Sequence, residues 1–373
     1  MISEKKIGDV FKVTSGGTPS RKKQEYYKNG TIPWIKTGDL KGKYANEPKE
    51  YITELALANS SAKIFPKNTV LLAMYGATIG ACSILKIAAA TNQACGAILP
   101  SEKCDHVYLY YYLKSINKEL ISKGVGGAQP NISGGIIKST KIPLPPLDQQ
   151  KKIAAILDAA DAYRQKTKAL NEKYDELTQS LFLDMFGDPV SNPKGWEPSK
   201  LGLIVENKDS KRKPVKSSDR ENMDGDYPYY GASGIIDYIN WFTHEGDNLL
   251  IGEDGANLLA RSKPIAFIAK GQYWVNNHAH VLGFNGKALL VFIEFFINLI
   301  DLSNYVTGSA QPKLNRKNMD QIKIFCPPIE LQNQFAERVQ AIEAQKAQVQ
   351  ASLAQAEDLF NSLLQRAFKG ELS

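Results

Sequence analysis

Two long stretches of the chain carry apolar residues in alternating steps of four and three. From Asp148 to Phe186 there is no Gly or Pro, and Ile156, Ala160, Tyr163, Thr167, Leu170, Tyr174, Leu177 and Leu181 keep that rhythm. Near the C-terminus Phe335, Val339, Ile342, Lys346, Val349, Leu353, Ala356, Phe360 and Leu363 do the same, with Lys346 the one polar member. Two helices that wind around each other present this heptad seam. Gly187-Asp188-Pro189 and Gly370 stop the helices. A Pro-Pro pair ends the strand-like run before each one, and Asp148 or Glu330 then sits favourably at a helix start. At 1.5 Å per residue each helix reaches about 57 Å.

The remaining apolar runs are short and bounded by turn residues. IGDVFKVT, TIPWIKTG, TVLLAMYG, ACSILKI and QACGAIL read as strands, followed by a helical stretch, VYLYYYLKSINKEL. Later, YPYYGASG, NLLIGEDGA, PIAFIA and AHVLGF precede LLVFIEFFINLI in the same way. The expected organisation is a mixed α/β domain over 1–147, a spacer helix over 148–187, a second α/β domain over 188–329 and a second spacer helix over 330–373.

The two halves are copies of one plan. Ala128-Gln129-Pro130 recurs as Ala310-Gln311-Pro312, Lys141-Ile142 as Lys323-Ile324, and Pro145-Pro146 as Pro327-Pro328. Gln150 matches Gln332, Ser180-Leu181 matches Ser362-Leu363, and Phe186 matches Phe368, all at one constant offset without a gap. Such a series marks a duplication. A compact domain keeps its ends close, so the helices should run antiparallel. The expected fold class is α+β, with the two domains at opposite ends of an antiparallel two-helix coiled coil and a pseudo-twofold between them.

Composition narrows the setting. The chain has 373 residues, 43% hydrophobic and 23% charged, long enough for two or three cores. Cys82, Cys95, Cys104 and Cys326 lack paired spacing, which suggests a reducing cytosol rather than a disulfide framework or zinc ribbon. The start, MISEKKIGDVFKV, has no signal-peptide core, and the apolar run 288–300 is broken by Glu294 and too short to span a bilayer. A cytoplasmic protein without membrane association is expected. Residues 1–147 hold 20 Lys and Arg against 10 Asp and Glu, whereas the rest hold 26 against 29. That local excess is a footprint for a polyanion.

Catalytic signals are weak. His278-Ala279-His280 lacks a third ligand cluster, and Glu253-Asp254 and Asp39 stand beside glycines as turn carboxylates do. Gly124-Val-Gly-Gly precedes no Lys-Ser/Thr, so it is no phosphate cradle. Neither a methyl-donor glycine motif nor an NPPY-type motif is present, and no catalytic residue, metal or cofactor is expected in this chain.

What stands out instead is a set of polar, basic and aromatic loops at matching places in the two halves. In the first half they supply Arg21, Lys22, Lys23, Lys36, Thr37, Tyr75, Thr78, Asn92, Gln93, Gln129 and Asn131. In the second they supply Lys211, Arg212, Lys213, Tyr230, Ser233, Asn257, Asn277, His278, Gln311 and Lys313. Arg and Lys suit phosphates and guanine edges, and Asn and Gln suit adenine. The shared Gln129 and Gln311 suggest a framework role, and base choice is expected where the halves differ.

At these residues the chain resembles the specificity (S) subunits of type I restriction–modification systems. The resemblance rests on SGGTPS followed by IPWIKTGDL, on AQPNI then KIPLPPLDQQKKIAAILD, on FGDPVSNPKGW, and on CPPIELQNQFAERV with FKGEL. It implies two target-recognition domains reading a bipartite, asymmetric double-stranded DNA site, joined by paired spacer helices, with no catalysis in the chain. It also implies partners: modification (M) subunits, expected as two, which use S-adenosylmethionine, and through them restriction (R) subunits using ATP and Mg²⁺. Half-site centres about one helical turn apart leave an unread gap of roughly six base pairs. The competing readings are a stand-alone nuclease or methylase with an unrecognised site, and a coiled-coil scaffold without nucleic-acid function. The absent catalytic motifs weigh against the first, the basic loops against the second. The spacer helices carry 6 basic against 7 acidic residues over 148–186, and 4 against 6 over 330–373, which points them to protein partners rather than DNA.

Overall fold

The computed structural model describes residues 3–124, 130–308 and 310–372. These pack as two compact units, Met1–Lys168 with Ala351–Ser373, and Ala169–Gln350.

The first unit is built on runs of apolar residues buried on both faces, VLLA, CSIL and CGAI, which can only be interior strands. They form the middle of a five-stranded sheet ordered Val13–Ser15, Cys95–Ile98, Val70–Ala73, Cys82–Leu85, Tyr44–Ala45. A second sheet is ordered Glu50–Ile52, Ile32–Ile35, Ala89–Thr91, Ile64–Phe65, with its central pair parallel through Trp34 opposite Ala90. Helix His106–Ser115 packs against Cys82–Leu85, burying Tyr108 to Leu113. Its start is capped by Asp105, whose carboxylate accepts from the amides of Val107 and Tyr108 at 2.9 Å.

The second unit repeats this plan without a counterpart of the edge strand Tyr44–Ala45. One sheet runs Val205–Asn207, Ala279–Phe284, Asn248–Gly252, Ala266–Ala269. The other runs Gly234–Ile239, Tyr227–Gly231, Gln272–Val275, His244–Glu245, again with a parallel central pair through Tyr229 opposite Trp274. Helix Leu290–Leu299 packs on Ala266–Ala269. Its Phe292 and Phe296 join Phe182, Phe186 and Phe335 in the core.

Each globular segment opens and closes through one three-residue strand pair: Glu4–Lys6 with Lys141–Pro143, and Pro198–Lys200 with Lys323–Phe325. A single helical turn follows, Ile7–Val10 or Leu201–Ile204, tied back by Ile7 N–H to Thr140 O at 2.8 Å and Leu201 N–H to Ile322 O at 2.9 Å. The run IGDVFKVT is therefore a helical turn before a strand, not one strand: the turn buries Ile7, and the chain becomes extended again only at Phe11.

Buried Gln150 and Gln332 explain the Pro-Pro-Gln joins. Gln150 Nε2 donates to Pro145 O and its Oε1 accepts from Asp105 N–H, at 2.8 and 2.9 Å. Gln332 Nε2 donates to Pro327 O and its Oε1 accepts from Leu289 N–H, both at 2.8 Å. Each glutamine thus bolts the first turn of a long helix, Leu147–Phe186 or Ile329–Lys369, to the residue that starts the domain helix. Gly187 and Gly370 follow the long helices with φ of 84° and 81°, a left-handed conformation that glycine adopts without a Cβ penalty.

The long helices pair antiparallel within each unit. In the first, Gln149 reaches Leu372 O at 3.4 Å, and the Arg164 guanidinium lies 4.5 Å from the Phe360 ring centre. In the second, Asp175 meets Lys346, and the Phe186 and Phe335 rings are 5.2 Å apart. Phe335, Val339 and Phe360 are buried, and Ile342, Val349, Leu353 and Leu363 half-buried. The central helix differs from the expected seam by one residue. Ile156, Tyr163, Leu170 and Leu177 are 40%, 54%, 43% and 49% exposed. The buried row holds Ile153, Leu157, Thr167, Thr178 and Phe182, with Arg164, Asn171, Tyr174 and Leu181 half-buried. Polar residues occupy the middle of the true seam, so apolar periodicity pointed to the neighbouring row.

Candidate nucleic-acid interface

In each unit the matching loops are laced together by main-chain hydrogen bonds. In the first, Gly17 N–H donates to Thr91 O (2.9 Å), Asn92 N–H to Ile35 O (3.0 Å), Met74 N–H to Ala94 O (2.8 Å) and Ile132 N–H to Met74 O (2.7 Å). In the second, Lys213 N–H donates to Val275 O (3.0 Å), Asn276 N–H to Tyr230 O (3.1 Å), Glu253 N–H to His278 O (2.8 Å) and Leu314 N–H to Glu253 O (2.7 Å). The glycines of SGGTPS fit this lacing: a Cβ on Gly16 or Gly17 would fall 2.1 Å from Thr91 Oγ1 or 2.2 Å from the Ser61 carbonyl carbon.

The first-half residues form a cationic and aromatic edge. The Arg21 guanidinium lies 4.4 Å over Tyr27 and 5.0 Å from the Trp34 ring, and pairs with Glu50 at 2.6 Å. Lys36 pairs with the same carboxylate. Burial raises the Glu50 pKa, but hydrogen bonds and charge from Lys36 and Arg21 outweigh it and hold the carboxyl below its ordinary value. Lys22 is exposed, and Lys23 reaches the Tyr26 hydroxyl at 3.0 Å. Thr37 opens a tight turn, Thr37–Asp39, closed by Lys36 N–H donating to Asp39 at 2.9 Å, which gives Asp39 its structural role. Tyr75 and Asn131 are exposed and brought together by the Ile132–Met74 bond. Thr78 and Asn92 are half-buried and Gln93 is exposed. Gln129 lies outside the described residues.

The second half differs in chemistry. Lys211, Lys213, Ser233, Asn277 and Gln311 are exposed, while Tyr230 stands edge-on to Tyr273 at 5.5 Å. Arg212, one of the candidate DNA contacts, faces inward. Its guanidinium donates to Glu253 at 2.6 Å and Ala279 O at 3.0 Å and lies 3.3 Å from Asp209, because its loop turns it into a buried polar network. Asn257 is likewise spent on its own loop: its Oδ1 accepts from the Ser262 hydroxyl and from Lys263 N–H, and its Nδ2 donates to Lys263 O at 3.1 Å. His280 is buried between Asp209 at 2.7 Å and Leu314 O at 2.9 Å, whereas His278 is exposed with Asp254 at 2.8 Å, so the two imidazoles serve separate partners. Lys313 pairs with Glu253 at 3.1 Å. Burial pushes Asp209 and Glu253 up, but His280 acting on the first, and Arg212, His280 and Lys313 on the second, leave both below the ordinary carboxylate range.

Asn276 at this edge escaped the sequence reading, and Asp254, expected only as a turn carboxylate, also holds His278 Nδ1. A signal for Asn276 was present: it follows a strand as Asn92 does, in VNNH against TNQ, and makes the same main-chain bond.

The family model for the type I restriction modification DNA specificity domain matches residues 2–179 and 193–357. The chain belongs to that specificity family. It is 28% identical to the type I restriction enzyme MjaIX specificity subunit of Methanocaldococcus jannaschii, over 99% of this chain and 93% of that protein. It is 27% identical to the EcoprrI specificity subunit of Escherichia coli, over 87% and 84%. Its fold is similar to that of the type I restriction–modification S subunit of M. genitalium, with a TM-score of 0.64, 18% identity, and coverage of 99% and 96%. The internal duplication and the paired helices are thus those of a type I DNA specificity subunit.

Proposed function

We propose that this specificity subunit reads a bipartite, asymmetric DNA site through its two laced loop edges, one half-site each, with 1–147 and 188–329 as the readers. The observation that carries this reading is one main-chain framework, repeated bond for bond, holding different side chains in the two halves. A duplicated scaffold with divergent contact residues suits two unlike targets. The exposed Arg21–Lys23 loop supplies the sequence-independent attraction to phosphate.

Catalysis belongs to partner subunits in this reading: two modification subunits using S-adenosylmethionine, and restriction subunits, bound through them, using ATP and Mg²⁺. The exposed apolar residues of the central helix, Ile156 and Tyr163 in the first unit and Leu170 and Leu177 in the second, suit protein partners. The chain works in the cytoplasm, and among the described residues no helix is long and apolar enough to cross a membrane. The test is a methylation map of the host genome with and without this chain. A bipartite methyl mark should vanish on its deletion and return on complementation, and the purified chain alone should transfer no methyl group. A map unchanged by deletion would refute the reading.

A further inference from the structure

An open hollow of about 430 Å³ lies in the second unit, lined by Gly231, Ile236, Asp254, Gly255, Asn276 and His278 among others. Glycine at 231 keeps it open. A Cβ there would approach Ile236 Cδ1 to 3.3 Å and Asn276 Nδ2 to 3.5 Å. Gly255 turns the opposite loop with φ of 106°, a conformation that favours glycine.

The polar groups facing the hollow are incompletely used. Asn276 is 4% exposed, and its Oδ1 accepts from His278 N–H at 2.8 Å. Its Nδ2 meets no acceptor among the described residues. The donor is therefore open to the hollow that Asn276 lines, free to meet water or a ligand there. Asp254 holds His278 Nδ1 at 2.8 and 2.9 Å, yet a carboxylate has about four lone-pair positions and its side chain remains 27% exposed. The hollow therefore presents one strong acceptor and one free donor against the apolar wall of Ile236.

We propose that this hollow reads one base pair of the second half-site: Asp254 accepts a hydrogen bond from the exocyclic amino group of adenine or cytosine, and Asn276 Nδ2 donates to an acceptor on the same base-pair edge. This rests on the DNA-specificity reading above. In the major groove an A·T pair offers N6–H₂ beside N7, and a C·G pair offers N4–H₂ beside O6, so each supplies the donor and acceptor that the hollow lacks. Thymine O4 or guanine O6 opposite Asp254 would set acceptor against acceptor. A well-formed contact of this kind discriminates by between about 5-fold and 150-fold.

The test replaces the chain by Asp254→Asn in its host, together with its own partner subunits, and maps methylation. An amide can accept from an amino group or donate to a keto group. The wild-type motif should show A or C at one position of the second half-site, and the variant should admit G or T there at rates within about tenfold, with the first half-site unchanged. Whether the wild-type base is A or C separates the two sources of the amino group. Gly231→Ala, whose Cβ presses on Ile236 and narrows the hollow, should slow methylation about tenfold without broadening the motif.

An unbroadened motif at wild-type methylation levels in D254N, or broadening in the first half-site, would overturn the proposal. If D254N abolishes methylation, binding of the purified variant complex to duplexes substituted at each position decides. Lost preference at one position supports the assignment. Retained preference, or no binding to any duplex, makes Asp254 a structural residue and overturns it. Failure of the parent reading is separate, since only then does deleting the whole chain leave the methylation map intact.

Discussion

The two halves share a framework and differ in where they keep their charge. In the first, Arg21 and Lys36 gather around one partly exposed carboxylate, Glu50, with Lys22 and Lys23 open to solvent. In the second, Arg212 and His280 converge on Asp209 and Glu253 beneath the surface, Lys313 reaches Glu253 from the solvent side, and residues 188–329 carry 16 basic and 16 acidic residues. Main-chain lacing and buried glutamines fix the shape of a reader, so its ionic chemistry is free to change. The first half keeps cations at the surface, whereas the second spends most of its own on internal carboxylates.

If the framework is common, breaking it should cost the same on either side. Gln150→Ala and Gln332→Ala each strand a buried amide N–H and a carbonyl, and each should lose about 2–4 kcal/mol in urea denaturation. A loss confined to one variant would show that the two joins are not equivalent.

The next effect belongs to the second half alone. Burial pushes the Glu294 carboxyl, on helix Leu290–Leu299, up to about 7. A folded pKa raised above the unfolded value means that opposition to folding grows as pH rises from the unfolded value through the folded one and disappears in acid. Glu294→Gln should therefore stabilise by about 1–3 kcal/mol near pH 8.5 and change little near pH 5, as read from melting curves. Asp209 and Glu253 act with the opposite sign: their lowered values support folding at neutral pH, and that support fades as pH falls through the carboxylate range.

The ionic contrast is sharpened by salt titration of DNA binding. Replacing Arg21, Lys22 and Lys23 by Ala should reduce the slope of log K against log salt by up to about 2.7, and replacing Lys211 and Lys213 by up to about 1.8. An unchanged slope for the first variant would turn that loop away from DNA. The smallest effect on stability is expected at Leu170. Because it is exposed, Leu170→Ser should stay within about 0.5 kcal/mol of the parent while weakening co-purification of a modification subunit. A large destabilisation would put Leu170 back in the seam.

The duplication, the joins and the extent of both helices were legible in the sequence because the residues that build them, Pro145, Gln150, Gly187 and their counterparts, have backbone or buried roles with few substitutes. The central-helix register was not. Periodicity reports rows of apolar side chains, and this helix has one exposed row, through Ile156, Tyr163, Leu170 and Leu177, that is more apolar than its seam through Arg164 and Asn171. At the reading edge the loops could be found but not the aim of their side chains. Arg212 and Lys213 are neighbours in a basic run, yet one is drawn onto Glu253 and the other remains exposed.

The three-residue strand pairs carry one more consequence. Lys5 lies opposite Ile142, and Ser199 opposite Ile324, so each reader begins and ends at adjacent points of a single short seam. A segment whose ends meet can be lifted out as a cassette without altering the course of the chain on either side. On the reading proposed above, exchange between relatives at these two seams would carry a complete half-site preference with it, so a new recognition sequence could arise by shuffling inherited halves instead of by accumulating point changes.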